Sequence, residues 1–170
     1  MKPIVIYYSH SGNTRRVAEK LAAATGADLA EIRTVRPYTG SYDDVVEQGR
    51  REIDSGFLPE LRPLDVDLSR YDTVILGTPV WWYTFAPAIN SFLHSADLAG
   101  KTVYPFATNG GWLGHTFRDM ERVCNGACVQ AGLNIRFNGS RQLTADADIR
   151  RWAERIGREG DARHTWKTAW

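Results

Sequence analysis

Residues 4–14 read Ile-Val-Ile-Tyr-Tyr-Ser-His-Ser-Gly-Asn-Thr, and the change of character halfway along this stretch decides the fold. The first half is β-branched and aromatic with no polar alternation. A strand covered on both faces reads that way. The second half, residues 9–14, is a cluster of hydroxyls, an amide and a glycine, the composition of a turn. Behind it Val17, Leu21 and Ala24 recur at helical spacing until Gly26 stops the pattern. A buried strand feeding a helix through a short polar loop is the opening of a βαβ unit.

The same alternation continues outward. A second strand is expected over 29–32, a loop over 34–40, and a helix over 45–53 with its cap in Ser41-Tyr42-Asp43-Asp44. After a Pro- and Gly-bearing connection come a third strand over 71–77 and a helix over 85–94, with Pro87 in its first turn. A fourth strand is expected over 102–107, a Gly-rich loop over 108–114, and a short helix over 115–124. A fifth strand over 133–137 and a last helix over 146–156, with Ile149, Trp152, Ala153 and Ile156 on one face, complete the pattern. Five strands then alternate with five helices. Right-handed crossovers make this an α/β fold, a doubly wound five-stranded parallel sheet with helices on both faces. Nothing repeats and no linker divides the chain. Residues 1–157 are expected to form one domain and 158–170 a tail, in which Trp166 and Trp170 point to docking.

Bulk properties narrow the function. The chain has 170 residues, 43% of them apolar and 24% charged, the mix of an ordinary globular protein. Lys and Arg total 21 against 20 Asp and Glu, a net charge of +1, which argues against nucleic-acid binding by bulk positive charge. No apolar run approaches the roughly 18 residues of a membrane span. The first residues are too short for a secretion signal, so a cytoplasmic protein is expected. His10, His94, His115 and His164 are scattered singly and the only cysteines are Cys124 and Cys128, so no metal site is expected. The cysteines read as two small residues near a helix end, with a redox pair as the sharper alternative.

In a doubly wound sheet, ligands bind beyond the carboxyl ends of the strands. Three loops lie there. Residues 9–14 open a helix, where unpaired N–H groups and the helix dipole favour an anion and Gly12 allows close backbone approach. Residues 78–84, Thr-Pro-Val-Trp-Trp-Tyr-Thr, carry three consecutive aromatics, which cannot all enter one core face. Some must lie at the surface or against a flat ligand. Residues 108–114, Thr-Asn-Gly-Gly-Trp-Leu-Gly, offer bare backbone to a polar ring edge. One loop suits a phosphate, one an aromatic ring and one a polar ring edge. Together they describe a mononucleotide with a flat ring system. Gly100-Lys101-Thr102 is no P-loop, since a strand follows where a helix is needed. Tyr8-Ser9 and Gly77-Thr78 lack the carboxylates of a phospho-receiver domain.

The stretches YYSHSGNT (7–14), GTPVWWYTF (77–85) and ATNGGWLG (107–114), with Ala99-Gly100-Lys101-Thr102 before the fourth strand, resemble the flavodoxins up to about Ile156. The resemblance implies a flavodoxin-like fold with strand order 2-1-3-4-5 and FMN as cofactor. Ser9, Ser11, Gly12, Asn13 and Thr14 would hold the phosphate, with His10 in the same loop. Pro79, Val80, Trp81, Trp82 and Tyr83 would lie along the isoalloxazine. Thr108, Asn109, Gly110 and Gly111 would take its other side or edge. The implied function is electron transfer, with a redox partner protein or a small quinone-like acceptor and no catalytic acid or base. An FMN-dependent NAD(P)H:quinone-type oxidoreductase is the alternative, and a binding module that has lost its flavin the third reading.

Two departures stand out. Flavodoxins that shuttle electrons are usually strongly acidic, and this chain is near neutral. The family's loop after Pro79 also often carries a Gly whose peptide turns toward flavin N5, whereas residues 79–85 contain none and Tyr83 stands where that Gly is expected. A stiffer loop is the expected consequence. The fifth strand lacks a long insertion, as in the short-chain type.

Overall fold

The computed structural model describes residues 2–167, with side chains described to Gly160. Five parallel strands carry the sheet: β1 (Ile4–Tyr8), β2 (Asp28–Ile32), β3 (Thr73–Trp81), β5 (Thr102–Asn109) and β7 (Leu133–Asn138). Their spatial order is β2-β1-β3-β5-β7, the 2-1-3-4-5 arrangement expected. Three two-residue strands are added. β4 (Thr84–Phe85) folds back antiparallel on β3, β6 (Cys128–Val129) runs parallel to the start of β5, and β8 (Arg141–Gln142) is antiparallel to β7.

The strictly alternating pleat explains why β1 reads as continuously apolar. Ile4, Ile6 and Tyr8 face one core, with Val74 and Leu76 of β3 and Ile89, Phe92 and Met120 from the helices. Val5 and Tyr7 face a second core, with Ile75, Phe106, Val17, Leu21, Ile149, Trp152 and Ile156. Both faces are therefore covered: α1 (Asn13–Thr25) and α5 (Asp146–Lys167) on one side, α3 (Pro87–Ser95) and α4 (Thr116–Val123) on the other. Gly77 is where β3 passes Phe106; a Cβ there would stand 2.1 Å from the ring. On the first side's opposite face, α2 (Tyr42–Ser55) begins with a complete capping box. The Asp44 N–H donates to Ser41 Oγ, and the Ser41 N–H donates to the Asp44 carboxylate.

Three boundaries differ most from the sequence expectation. β3 runs on to Trp81, four residues past Gly77. The helix expected from Phe85 starts at Pro87, because Phe85 is paired with Val80 in the hairpin. The last helix continues to Lys167, so part of the segment expected as tail is helical. The docking expected of Trp166 and Trp170 lies outside the described residues. No described helix is long and apolar enough to cross a membrane. The cysteines occupy different settings. Cys124 is buried, which pushes its thiol up to about 11, and Cys128 is exposed on β6.

Candidate functional site

The polar loop between β1 and α1 is organised by Ser9. Its Oγ accepts from the N–H groups of Gly12 (3.2 Å) and Arg15 (3.3 Å). A hydroxyl oxygen that accepts twice keeps its own proton free to donate elsewhere. Gly12 is the N-cap at φ +101°, a conformation that glycine adopts without strain, and nothing lies within 4 Å of where its Cβ would be. The N-cap, a glycine, has no side chain to cap α1, so Ser9 caps it from outside the helix at Arg15, and the first turn holds no acidic residue. The N–H groups of Ser11, Asn13 and Thr14 have no acceptor among the described residues. The loop therefore presents donors at the positive end of a 13-residue helix, the fit a phosphate requires. Two predicted side chains have partners within the protein. Asn13 Nδ2 donates to the Gly139 carbonyl at 2.9 Å, and the buried Thr14 Oγ1 lies 2.7 Å from Thr108 Oγ1.

The aromatic stretch is not an open loop but a tight hairpin. Val80 pairs with Phe85 and Trp81 with Thr84, leaving Trp82 and Tyr83 as the two-residue turn. Both have positive φ, 50° and 67°. Two successive left-handed residues are the signature of a type I′ turn, which twists with the strands and normally carries Asn-Gly. Here two aromatics adopt it at a cost of about 1–2 kcal/mol each. The surroundings hold them there. Trp82 Nε1 donates to the Val46 carbonyl at 2.9 Å, with the Arg50 guanidinium 5.6 Å from its ring centre. The His115 N–H donates to the Tyr83 carbonyl at 2.9 Å. Gly114 makes this approach possible, since a Cβ there would stand 2.3 Å from the Tyr83 oxygen.

The three aromatics separate as adjacent side chains on a strand and turn must. Trp81 turns inward and packs edge-on against Tyr38 (4.9 Å between centres), His10 (5.8 Å) and Tyr8 (6.0 Å). Trp82 is 40% exposed and Tyr83 52%. Burial, and then the nearby Glu52 carboxylate, raise both Tyr8 and Tyr38 well above the ordinary phenol range, so both stay protonated. Among the described residues, neither the buried Tyr38 hydroxyl nor Glu52 Oε2 reaches a partner in hydrogen-bond geometry.

The third loop is braced by Asn109. Its amide donates to Asn134 Oδ1 at 2.6 Å, and its carbonyl oxygen accepts the Gly111 N–H at 2.9 Å. The side chain is thus spent on shaping the turn, and what the turn offers outward is backbone at Gly110.

These segments meet in a cleft of about 800 Å³. Of the residues singled out by sequence, His10, Ser11, Pro79, Val80, Trp81, Trp82, Tyr83, Asn109 and Gly110 line it. Ser9, Gly12, Asn13, Thr14, Thr108 and Gly111 do not; they build the loops at its end and floor. One wall escaped the sequence reading: Gly40, Ser41, Tyr42, Val45, Val46 and Gly49, from the start of α2. The Ser41–Asp44 capping box located that helix but not its direction. The available signal was the small residue four positions after Val45, because Gly49 lets Trp81 lie against the helix, 3.1 Å from where a Cβ would be. Among the described residues, no Asp, Glu, Lys or Arg lines the cleft.

The comparisons with known proteins agree with this geometry. Residues 2–156 match a family described as flavodoxin. A crystallised Bacteroides eggerthii protein assigned as a flavoprotein is 31% identical, with a TM-score of 0.79, covering 91% of this chain and 97% of that one. A Lactobacillus acidophilus flavoprotein solved in complex with FMN shares the fold, at a TM-score of 0.69 and 24% identity over 78% of this chain and 91% of its own. An NAD(P)H dehydrogenase (quinone) from Gluconacetobacter diazotrophicus is 27% identical over 153 residues, 84% of this chain and 75% of that one. With a family match over nearly its whole length, a 2-1-3-4-5 parallel sheet, and a donor-rich loop between the first strand and helix, the chain belongs to the flavodoxin family.

Proposed function

We propose that this chain binds FMN across the cleft and serves in electron transfer. The observation that carries the reading is the loop over 9–14, which joins unpaired N–H groups, free hydroxyl protons and a helix N-terminus with no acidic residue beside them. Bound FMN supplies the uptake and release of electrons. Ser9, Ser11, Gly12, Asn13 and Thr14 hold the phosphate, with hydroxyls and backbone N–H groups as donors. Pro79, Val80, Trp81, Trp82 and Tyr83 flank the ring on one side. Thr108, Asn109, Gly110 and Gly111 shape the opposite edge, and His10 stands between the two ends. Among the described residues the lining holds no Lys or Arg, so apart from His10 no side chain there would offset negative charge gained by a bound ring, which would hold its potential low. The binding unit is residues 1–157, in accord with the family match to residue 156, and 158–170 is its appendage.

The partner is a redox protein or a small quinone-like acceptor. A second reading, an FMN-dependent NAD(P)H:quinone-type reductase, is supported by the dehydrogenase relative and by an aromatic cleft without charged lining, which suits a neutral flat acceptor. Titration of the purified protein with FMN and riboflavin tests the cofactor: FMN binding that depends on its phosphate is expected, and indifference to the phosphate overturns the reading. NADH oxidation with a quinone acceptor decides between carrier and reductase.

A further inference from the structure

We infer that Thr108 is a positioning residue for the phosphate, acting through Thr14. This rests on the FMN reading above. Thr14 Oγ1 and Thr108 Oγ1 are 2.7 Å apart, 1% and 4% exposed, and neither hydroxyl has another partner among the described residues. Each hydroxyl carries one proton and can accept two. One proton lies in the bond between them, so one is left over, and a buried O–H without an acceptor is costly.

The two possible directions are not equivalent. If Thr14 donates, the spare proton belongs to Thr108, in the sheet, where its strand neighbours are Pro79 and Ile135. If Thr108 donates, the spare proton belongs to Thr14, the second residue of α1, beside the unpaired N–H groups of Ser11 and Asn13. Only the second arrangement gives the spare proton an acceptor, and that acceptor is the anion the loop is built to receive. Thr108 thereby makes Thr14 a dedicated donor, and the O–H···O–H chain strengthens it by mutual polarisation.

The device is specific for an acceptor-rich group. Riboflavin places a hydroxyl where FMN places a phosphate, and gains little from a fixed donor. The ratio of riboflavin to FMN dissociation constants therefore reads the effect, while damage to the fold would weaken both ligands together. Titrating apoprotein by flavin fluorescence, we expect the wild type to favour FMN by at least a hundredfold, Thr108→Val to lower that ratio about tenfold, and Thr108→Ser to restore it. If Thr108→Val binds neither flavin, Thr108→Ala, which only removes atoms, gives the same reading. A ratio within twofold of wild type in the variant that binds overturns the role of Thr108 and leaves the FMN reading standing. A wild-type protein that does not favour FMN overturns both.

Discussion

The loop over 9–14 and the hairpin over 80–85 are both turns at the same end of one sheet, yet they carry strain differently. In the first, the single left-handed residue is Gly12. In the second, the left-handed residues are Trp82 and Tyr83, which no local preference would choose. The polar end of the cleft is made by backbone groups in an unstrained conformation, and the aromatic end by side chains that neighbouring helices hold against their preference. Function at the first end should therefore fail when a donor is removed, and at the second when packing is removed.

The largest expected effect separates the two aromatics that are adjacent in sequence. Trp81→Ala removes the ring packed among Tyr8, Tyr38 and Gly49 and should destabilise the fold by about 2–4 kcal/mol, less than a fully buried tryptophan. Urea denaturation measures it. A loss below 1 kcal/mol would mean that Trp81 serves the ligand rather than the core. Next come Ser11→Ala and Thr14→Ala, each removing a charge-assisted bond of roughly 1.5–3 kcal/mol. FMN affinity should fall tenfold or more per site with riboflavin affinity unchanged; equal losses for both flavins would place the phosphate elsewhere.

Trp82→Ala should cost about 1 kcal/mol, one hydrogen bond to Val46 and an exposed cation–π contact with Arg50. If Trp82 also touches the ring, this variant should release flavin fluorescence that the wild type quenches. The smallest effect has the opposite sign. Tyr83→Gly should relieve left-handed strain and, after the entropy of the added glycine, stabilise the protein by about 0.5–1 kcal/mol. That is roughly 1–4 °C in Tm by calorimetry. A lower Tm would show that the Tyr83 side chain contributes more than its backbone strain costs.

The same contrast governs how much could be read from the sequence. The apolar run of β1, the polar turn after it and the helical spacing of Val17 and Leu21 are all local, and they led directly to the opening strand–loop–helix unit; the strand order came from the resemblance to the flavodoxins. The aromatic hairpin was legible in composition but not in conformation. Positive φ at Trp82 and Tyr83 is imposed by Val46, Gly114 and His115, which stand 30 or more positions away. The α2 wall was missed for the same reason: Val45, Val46 and Gly49 look like any helix face until Trp81 is laid against them. Asn13 and Asn109 read correctly as members of their loops, but their side chains brace neighbouring backbone at Gly139 and Gly111, a division of labour that no residue type announces.

The hairpin tip is stitched on both flanks, from Trp82 to α2 and from the His115 N–H to Tyr83. A wall tied at two points should behave as a fixed surface during ligand encounter rather than as a flap that closes afterwards. Its ordering entropy is met when the chain folds, so a ring that seats against it has little left to immobilise. The two processes then share one free-energy reservoir. The His115 amide should exchange with solvent only through openings that also dismantle the cleft, and it should exchange more slowly still once a ligand is bound.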